Sequence, residues 1–159
     1  MGEAEGRPGQ PPRSAASDPR LREAEVRRYL ALVAHDARAL ALLSRAADRE
    51  DVSDWQCTLL YYMACVYVKA LGRFRQVDLQ DHFQVKQWLN TSPDLVDVAR
   101  PYRKLEDRSR DARYEGRRYS RDEQRQHVRW FEEVQDRVSA LLRAGGIAGL
   151  TRIDATGLL

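Results

Sequence analysis

The chain has 159 residues, of which 43% are hydrophobic and 32% are charged. This length and composition fit one globular domain with a buried core, and they exclude a chain that is disordered throughout. The formal charge of +3 is unevenly spread, since the stretch from Arg100 to Arg121 holds nine basic and four acidic residues, a local charge of +5. A local basic excess of this kind predicts an anionic partner.

Residues 1–17 are rich in glycine, proline and serine, a composition that predicts a disordered N-terminal tail. We assign residues 18–146 to a helical domain and residues 147–159 to a C-terminal tail. Asp18 followed by Pro19 predicts an N-cap and the first position of a long amphipathic helix.

The motif "SDWQ" at residues 53–56 predicts a capping box that opens a second helix. This helix is apolar on nearly every side, which places it in the middle of a bundle. Gly72 is the predicted C-cap of this helix. A short third helix is predicted over residues 79–90.

A short piece is predicted to start at Ser92-Pro93, and Pro101 is predicted to restart a helix that ends at Gly116. Its inward positions recur at steps of three, four and three residues, as in a coiled-coil seam whose second half is small. The seam residues are Tyr102, Leu105, Ser109 and Ala112. Small residues at such a seam let two helices approach closely.

The motif "SRDE" at residues 120–123 predicts a second capping box with acids in the first helical turn. The amphipathic helix that follows is predicted to stop at Gly145-Gly146. Together the predicted elements give an all-α fold, a four-helix bundle with an additional short helix.

Two observations bear on the compartment. Cys57 and Cys65 lie in one predicted helix, about 12 Å apart along its axis, so they cannot form a disulfide with each other. The longest apolar run, at residues 59–68, is too short to cross a bilayer, and the first residues lack the apolar stretch of a signal peptide. We therefore expect a cytoplasmic protein with no membrane contact, and we predict no metal site and no cofactor.

Three stretches together resemble the HEPN superfamily of small helical bundles: "SDWQCTLLYYMACVYVKAL" at 53–71, "DHFQVKQWL" at 81–89 and "YRKLEDRSRDARY" at 102–114. The matching elements are Asp54-Trp55, His82 with Lys86, and Tyr102, Leu105, Ser109, Ala112, Arg113 and Tyr114. Lys86 stands where the pattern leads us to expect arginine. The resemblance implies a HEPN-like four-helix bundle that forms a homodimer.

In active members, the resemblance also implies a metal-independent endoribonuclease that carries arginine, four to six residues, and then histidine. All three histidines of this chain satisfy that spacing, and Arg121 with His127 is the placement we favour, with His82 as a second candidate catalytic residue. Histidine shuttles protons near neutral pH, and arginine neutralises a pentavalent phosphate. The alternative is that His127, one turn before Phe131 on the apolar stripe, is a histidine at the edge of the core.

The basic stretch has two interpretations. In one, its arginines and tyrosines contact a phosphate backbone and stack on bases. The candidate nucleic-acid-binding residues are Lys86, Arg108, Arg110, Arg113, Tyr114, Arg117 and Arg118. In the other, Arg110, Arg113 and their neighbours pair with Asp107, Asp111 and Glu115 on a solvated helix face.

The functional hypothesis is a HEPN-like protein that binds RNA or nucleotides, with metal-independent RNA cleavage, as part of a toxin or defence system. The alternative is a non-catalytic dimeric helical interaction module, such as one component of a toxin–antitoxin or defence pair. In that alternative, the basic residues grip a protein partner, for instance an antitoxin or a nucleotidyltransferase-like protein.

Overall fold

A computed structural model describes residues 18–47 and 50–158, and these residues form helices and no strand. The five helices are α1 (Pro19–Ala46), α2 (Ser53–Phe74), α3 (His82–Thr91), α4 (Val96–Glu115) and α5 (Arg121–Ala144). The prediction of an all-α bundle with four main helices and one short helix is confirmed. The predicted disordered tail at residues 1–17 lies outside the described residues.

Helix α1 begins as its sequence predicts. The side chain of Asp18 accepts a hydrogen bond from the backbone N–H of Arg20 at 2.8 Å, and Pro19 occupies the first turn. The side chain therefore satisfies one of the N–H groups that a helix start leaves without an intrahelical partner.

Helix α2 is the centre of the bundle and packs against α1, α4 and α5. Most of its residues are buried, as its composition predicts, but the side chain of Trp55 is 60% exposed. The predicted capping box at its start is wrong. Val52 precedes the helix without capping it, and the Ser53 hydroxyl instead accepts a hydrogen bond from the backbone N–H of Tyr119 at 2.9 Å.

Gly72 is not a C-cap, because α2 continues to Phe74. A Cβ atom at Gly72 would lie 2.7 Å from Cδ1 of Leu79, so the missing side chain lets the following loop pack against the helix. Helix α3 begins after Asp81, whose side chain accepts from the backbone N–H of Gln84 at 2.8 Å.

Helix α4 does not restart at Pro101, because it begins at Val96 and runs through the proline. Proline in the second turn removes one hydrogen bond of the helix ladder, and the ring of Pro101 is buried in return. All four seam residues are buried as predicted: Tyr102, Leu105, Ser109 and Ala112. The seam packs inside this chain, since α4 lies against α2 and α5, and it is therefore not a surface for a second copy.

Helix α5 starts with the predicted capping box, in which the Ser120 hydroxyl and the Glu123 carboxylate each bond the other residue's backbone N–H. The preceding turn contains Gly116 in the left-handed conformation, with φ of 65°, which glycine adopts without steric cost.

The residues assigned to a C-terminal tail pack onto the bundle up to a 3₁₀ turn at Thr156–Leu158. Ile147 and Ala155 are buried. The buried side chain of Gln135 donates to the Ile153 carbonyl at 3.0 Å and accepts from the Ile153 N–H at 2.8 Å. Within the described residues, no helix combines the length and the apolar character that a bilayer crossing requires.

Candidate functional site

Five polar and aromatic residues from three helices come together where α2, α3 and α4 meet. We call this group the α2–α3–α4 cluster. Its members are Tyr61, Tyr62 and Cys65 of α2, His82 of α3 and Arg113 of α4. Two of the predicted site residues, His82 and Arg113, are thus held against the same pair of tyrosines.

A chain of hydrogen bonds orients the imidazole of His82. The Tyr102 hydroxyl donates to the Tyr61 hydroxyl at 3.3 Å, and the Tyr61 hydroxyl lies 2.9 Å from Nδ1 of His82. Because Tyr61 accepts from Tyr102, its own proton is free to go to Nδ1, which leaves the ring proton of neutral His82 on Nε2. The thiol of Cys65 lies 3.5 Å from the same Nδ1.

The surroundings of His82 favour the neutral form of its ring. Burial lowers the pKa of His82 below its usual 6.5, and the positive charges of Lys69 and Arg113 lower it further. Neutral histidine next to a fixed cation is suited to donate one hydrogen bond to an anion from Nε2.

The guanidinium of Arg113 is held among aromatic rings. Its central carbon lies 5.7 Å from the ring centres of both Tyr61 and Tyr62 and 5.3 Å from that of Tyr114. Nη1 donates to the Tyr62 hydroxyl at 3.2 Å, and Nε donates to the Ser109 carbonyl at 3.2 Å. Within the described part of the chain Arg113 has no carboxylate partner, so its charge stays available at the surface.

Two neighbours extend this cationic site along α4. The side chain of Tyr114 is 75% exposed, which leaves a ring face open to solvent. Arg110, one turn earlier, is exposed and has no ion pair with any carboxylate that the structure describes. Both residues therefore remain available to a ligand.

Two other arginines of the basic stretch form ion pairs with carboxylates. Arg108 lies 3.3 Å from Asp111, and Arg117 lies 2.9 Å from Glu123 and 3.7 Å from Asp111. The predicted solvated pairing thus holds for these side chains. The pairing predicted for Arg110 and Arg113 is not found among the described residues, and Asp111 pairs with Arg108 and Arg117 instead.

Arg118 serves the fold. It forms an ion pair with Asp54 and donates to the Asp51 carbonyl at 2.9 Å, which ties the α4–α5 turn to the start of α2. Adjacent Tyr119 is buried, and its hydroxyl donates to the Arg108 carbonyl at 2.6 Å. Because the Arg118 guanidinium makes these contacts within the fold, it is not available to bind a phosphate.

Lys86 lies 3.2 Å from a carboxylate oxygen of Glu106. Glu106 is on α4, one turn before Arg110, so the pair links α3 to α4 beside the α2–α3–α4 cluster. The resemblance predicted that the positive charge of Lys86 binds phosphate. The ion pair with Glu106 neutralises that charge.

The structure does not bring Arg121 and His127 together as a catalytic pair. His127 is only 2% exposed, its ring meets that of Tyr119 edge-on at 4.6 Å, and its Nδ1 has no hydrogen-bond partner among the described residues. Burial, and then the charge of Arg108, lower the pKa of His127 to about 4. Six positions apart on a helix, Arg121 and His127 face different directions, and Arg121 is exposed. The geometry favours the core interpretation of His127.

Tyr61 and Tyr62 were not predicted as site residues, because the apolar pattern of α2 treats tyrosine only as part of its buried surface. The signal that was present is a pair of adjacent phenols inside an otherwise apolar run, "LLYYMACV". A buried phenol hydroxyl needs a hydrogen-bond partner. The two adjacent tyrosines therefore predict that polar side chains from other segments lie beside this helix, without identifying those side chains.

Among the described residues, no group of three histidine, cysteine, aspartate or glutamate side chains converges as metal ligands would. No family model, no curated protein and no solved structure matches this chain. The structure defines an all-α bundle with a cluster of arginine, tyrosine and histidine side chains at the junction of three helices. The resemblance to the HEPN superfamily stays a prediction.

Proposed function

We propose that this protein is a HEPN-like helical bundle that binds single-stranded RNA along the C-terminal half of α4. The observation that supports this most directly is Arg113, whose guanidinium is held by Tyr62 and stacked among tyrosines without a carboxylate in the described residues. A cation that is fixed in place and uncompensated loses little entropy when it binds phosphate.

The exposed residues beside Arg113 suit a single strand. The guanidinium of Arg110 supplies a second phosphate contact one turn away, and the open face of Tyr114 offers a stacking platform for an unpaired base. Single-stranded RNA is recognised by this combination of backbone charge and aromatic stacking.

His82 contributes a hydrogen-bond donor to this site. Because Nδ1 is engaged by Tyr61, the remaining nitrogen of the neutral ring carries a proton. That nitrogen can donate a hydrogen bond to a phosphate oxygen, but a neutral ring is a poor acid for a leaving 5′ oxygen, and with Nδ1 engaged it cannot take the proton of a 2′-hydroxyl. One chain thus supplies a hydrogen-bond donor without a general acid and base pair, which is why we propose RNA binding as the main function and place cleavage second.

The test is the affinity for single-stranded RNA as a function of salt. Arg110→Gln with Arg113→Gln should weaken binding and flatten the salt slope by about 1.4, that is, about 0.7 for each lost contact. The matched control is Arg137→Gln with Arg143→Gln, which removes the same charge from α5 and should leave the slope unchanged. Equal slopes for the wild type and the Arg110, Arg113 variant would refute the proposal.

A dimeric interaction module is the second candidate, and exposed apolar side chains favour it. Trp55 and Tyr62 lie two turns apart on the outer face of α2 and are 60% and 36% exposed. On this basis a second copy of the chain is the expected partner, which would form an isologous interface. Sedimentation of wild type and Trp55→Glu at micromolar concentration tests this: a monomeric wild type excludes the dimer.

A further inference from the structure

A cavity of about 580 Å³ lies between the end of α1, the loop before α2, the start of α2 and the first half of α5. This volume is in the range of pockets that hold small organic ligands. None of the residues of the α2–α3–α4 cluster lines it.

One wall of the cavity is a row of arginines on α5. Arg121, Arg125 and Arg129 recur every four residues and line it together, about 6 Å apart along the helix. Arg125 pairs with Asp122 at 2.6 Å in a highly exposed ion pair, which is weak. Arg121 and Arg129 have no carboxylate partner among the described residues.

Anion binding by this row of arginines would not depend on free backbone N–H groups at the start of α5. The first turn of α5 is already closed by Ser120 and Glu123, whose carboxylate accepts from the Ser120 N–H at 2.9 Å. Any anion attracted here must therefore be attracted by the guanidinium groups themselves.

The facing wall offers acceptors. Glu50 and Asp51 line the cavity, as does Gln56, whose side chain donates to the Ser44 hydroxyl at 3.3 Å. Asp51 is already engaged, since it accepts from the Ser53 N–H at 3.0 Å and lies near the charge of Arg118. Among the described residues Glu50 has no ion-pair partner, and its side chain lines the cavity.

We propose that this cavity binds a phosphate monoester whose organic body carries hydroxyl or amino groups. The row of arginines with Arg121 and Arg129 binds the phosphate, because the planar fork of a guanidinium group donates two hydrogen bonds to neighbouring phosphate oxygens and supplies the opposite charge. Glu50 accepts hydrogen bonds from the body of the ligand. A simple inorganic anion would use the arginine wall alone and would gain nothing from Glu50.

The experiment is calorimetric titration of the full chain with ribose 5-phosphate, with ribose and inorganic phosphate titrated in parallel. We expect ribose 5-phosphate to bind more tightly than either. Arg121→Gln with Arg129→Gln should weaken its binding by about tenfold or more, and Glu50→Gln should weaken ribose 5-phosphate but not inorganic phosphate. Arg137→Gln with Arg143→Gln is the charge-matched control on the same helix and should bind normally.

Competition identifies the source of the phosphate monoester. Two RNA strands are tested as competitors, one with a 5′-phosphate and one with a 5′-hydroxyl. If only the 5′-phosphorylated strand displaces ribose 5-phosphate, the cavity binds RNA ends. If neither strand displaces it, the cavity binds free metabolites.

Arg110→Gln with Arg113→Gln should not change ribose 5-phosphate affinity, so this proposal and the RNA site on α4 fail independently. No binding of ribose 5-phosphate, or equal binding by the Arg121, Arg129 variant, would overturn the proposal.

Discussion

The backbone N–H of Tyr119 donates to the hydroxyl of Ser53 at 2.9 Å, across 66 positions of the chain. Ser53 therefore accepts a bond from the α4–α5 turn and does not cap its own helix. This contact holds the α4–α5 turn, which carries Arg117 and Arg118, against the start of α2.

Ser53→Ala should destabilise the fold by about 1–3 kcal/mol, because it leaves the buried N–H of Tyr119 without a partner. Urea unfolding of wild type and variant measures this free energy. Ser92→Ala is the control, since the Ser92 hydroxyl makes no hydrogen bond within the described residues and its loss should cost little. A Ser53→Ala protein as stable as Ser92→Ala would show that the contact contributes nothing.

Arg118→Gln should lower stability without lowering RNA affinity. The guanidinium holds Asp54 and the Asp51 carbonyl at a half-exposed position, so we expect a loss of about 1 kcal/mol after solvent screening. Unfolding and RNA titration on the same variant separate the two effects. If RNA affinity falls as far as in Arg113→Gln while stability is unchanged, Arg118 is a ligand-binding residue and our assignment is wrong.

His127 should make the fold acid-sensitive. Its pKa is lowered from 6.5 to about 4 by burial and by Arg108, so the unfolded chain binds a proton between these pH values and the folded chain does not. Above pH 6.5 the imidazole is neutral in both states, so its titration does not change the free energy of unfolding. As the pH falls from 6.5 to 4, proton binding to the unfolded chain lowers that free energy by up to about 3 kcal/mol.

The measurement for His127 is the free energy of unfolding at pH 7 and pH 4.5 for wild type and His127→Gln. The difference between the two pH values should be smaller in the variant, while the carboxylates contribute equally to both proteins. His35→Gln is the control, because the His35 ring is 67% exposed. Identical pH dependence in wild type and His127→Gln would contradict a neutral buried His127.

Tyr114→Ala should weaken RNA binding by about 1–3 kcal/mol and leave the salt slope unchanged, because stacking on a base involves no counterion release. The side chain is 75% exposed, so stability should stay the same. Phe83→Ala removes a comparably exposed aromatic ring from α3 and is the matched control. Equal affinity of Tyr114→Ala and wild type would remove stacking from the proposal and leave only the charge contacts.

Much of the architecture was determined by the sequence alone, because short-range chemistry specifies it. Asp18 caps α1, Ser120 and Glu123 cap α5, and Gly116 ends α4, each through contacts between residues a few positions apart. Hydrophobic periodicity likewise predicted the central position of α2 and the inward seam of α4. These features follow from the backbone geometry of a helix and need no knowledge of the rest of the fold.

The tertiary structure decided which polar side chains are free. Arg113 and Arg118 are alike in the sequence, but Arg118 meets Asp54 from 64 positions away and Arg113 meets Tyr62 from 51 positions away. His82 and His127 both follow an arginine at the spacing of the resemblance, but His82 lies near Arg113, which has no carboxylate partner in the described part of the chain, whereas the Arg108 near His127 is paired with Asp111. Local sequence specifies where a helix starts and which face is apolar, whereas the partner of a charge depends on which distant segment packs against it.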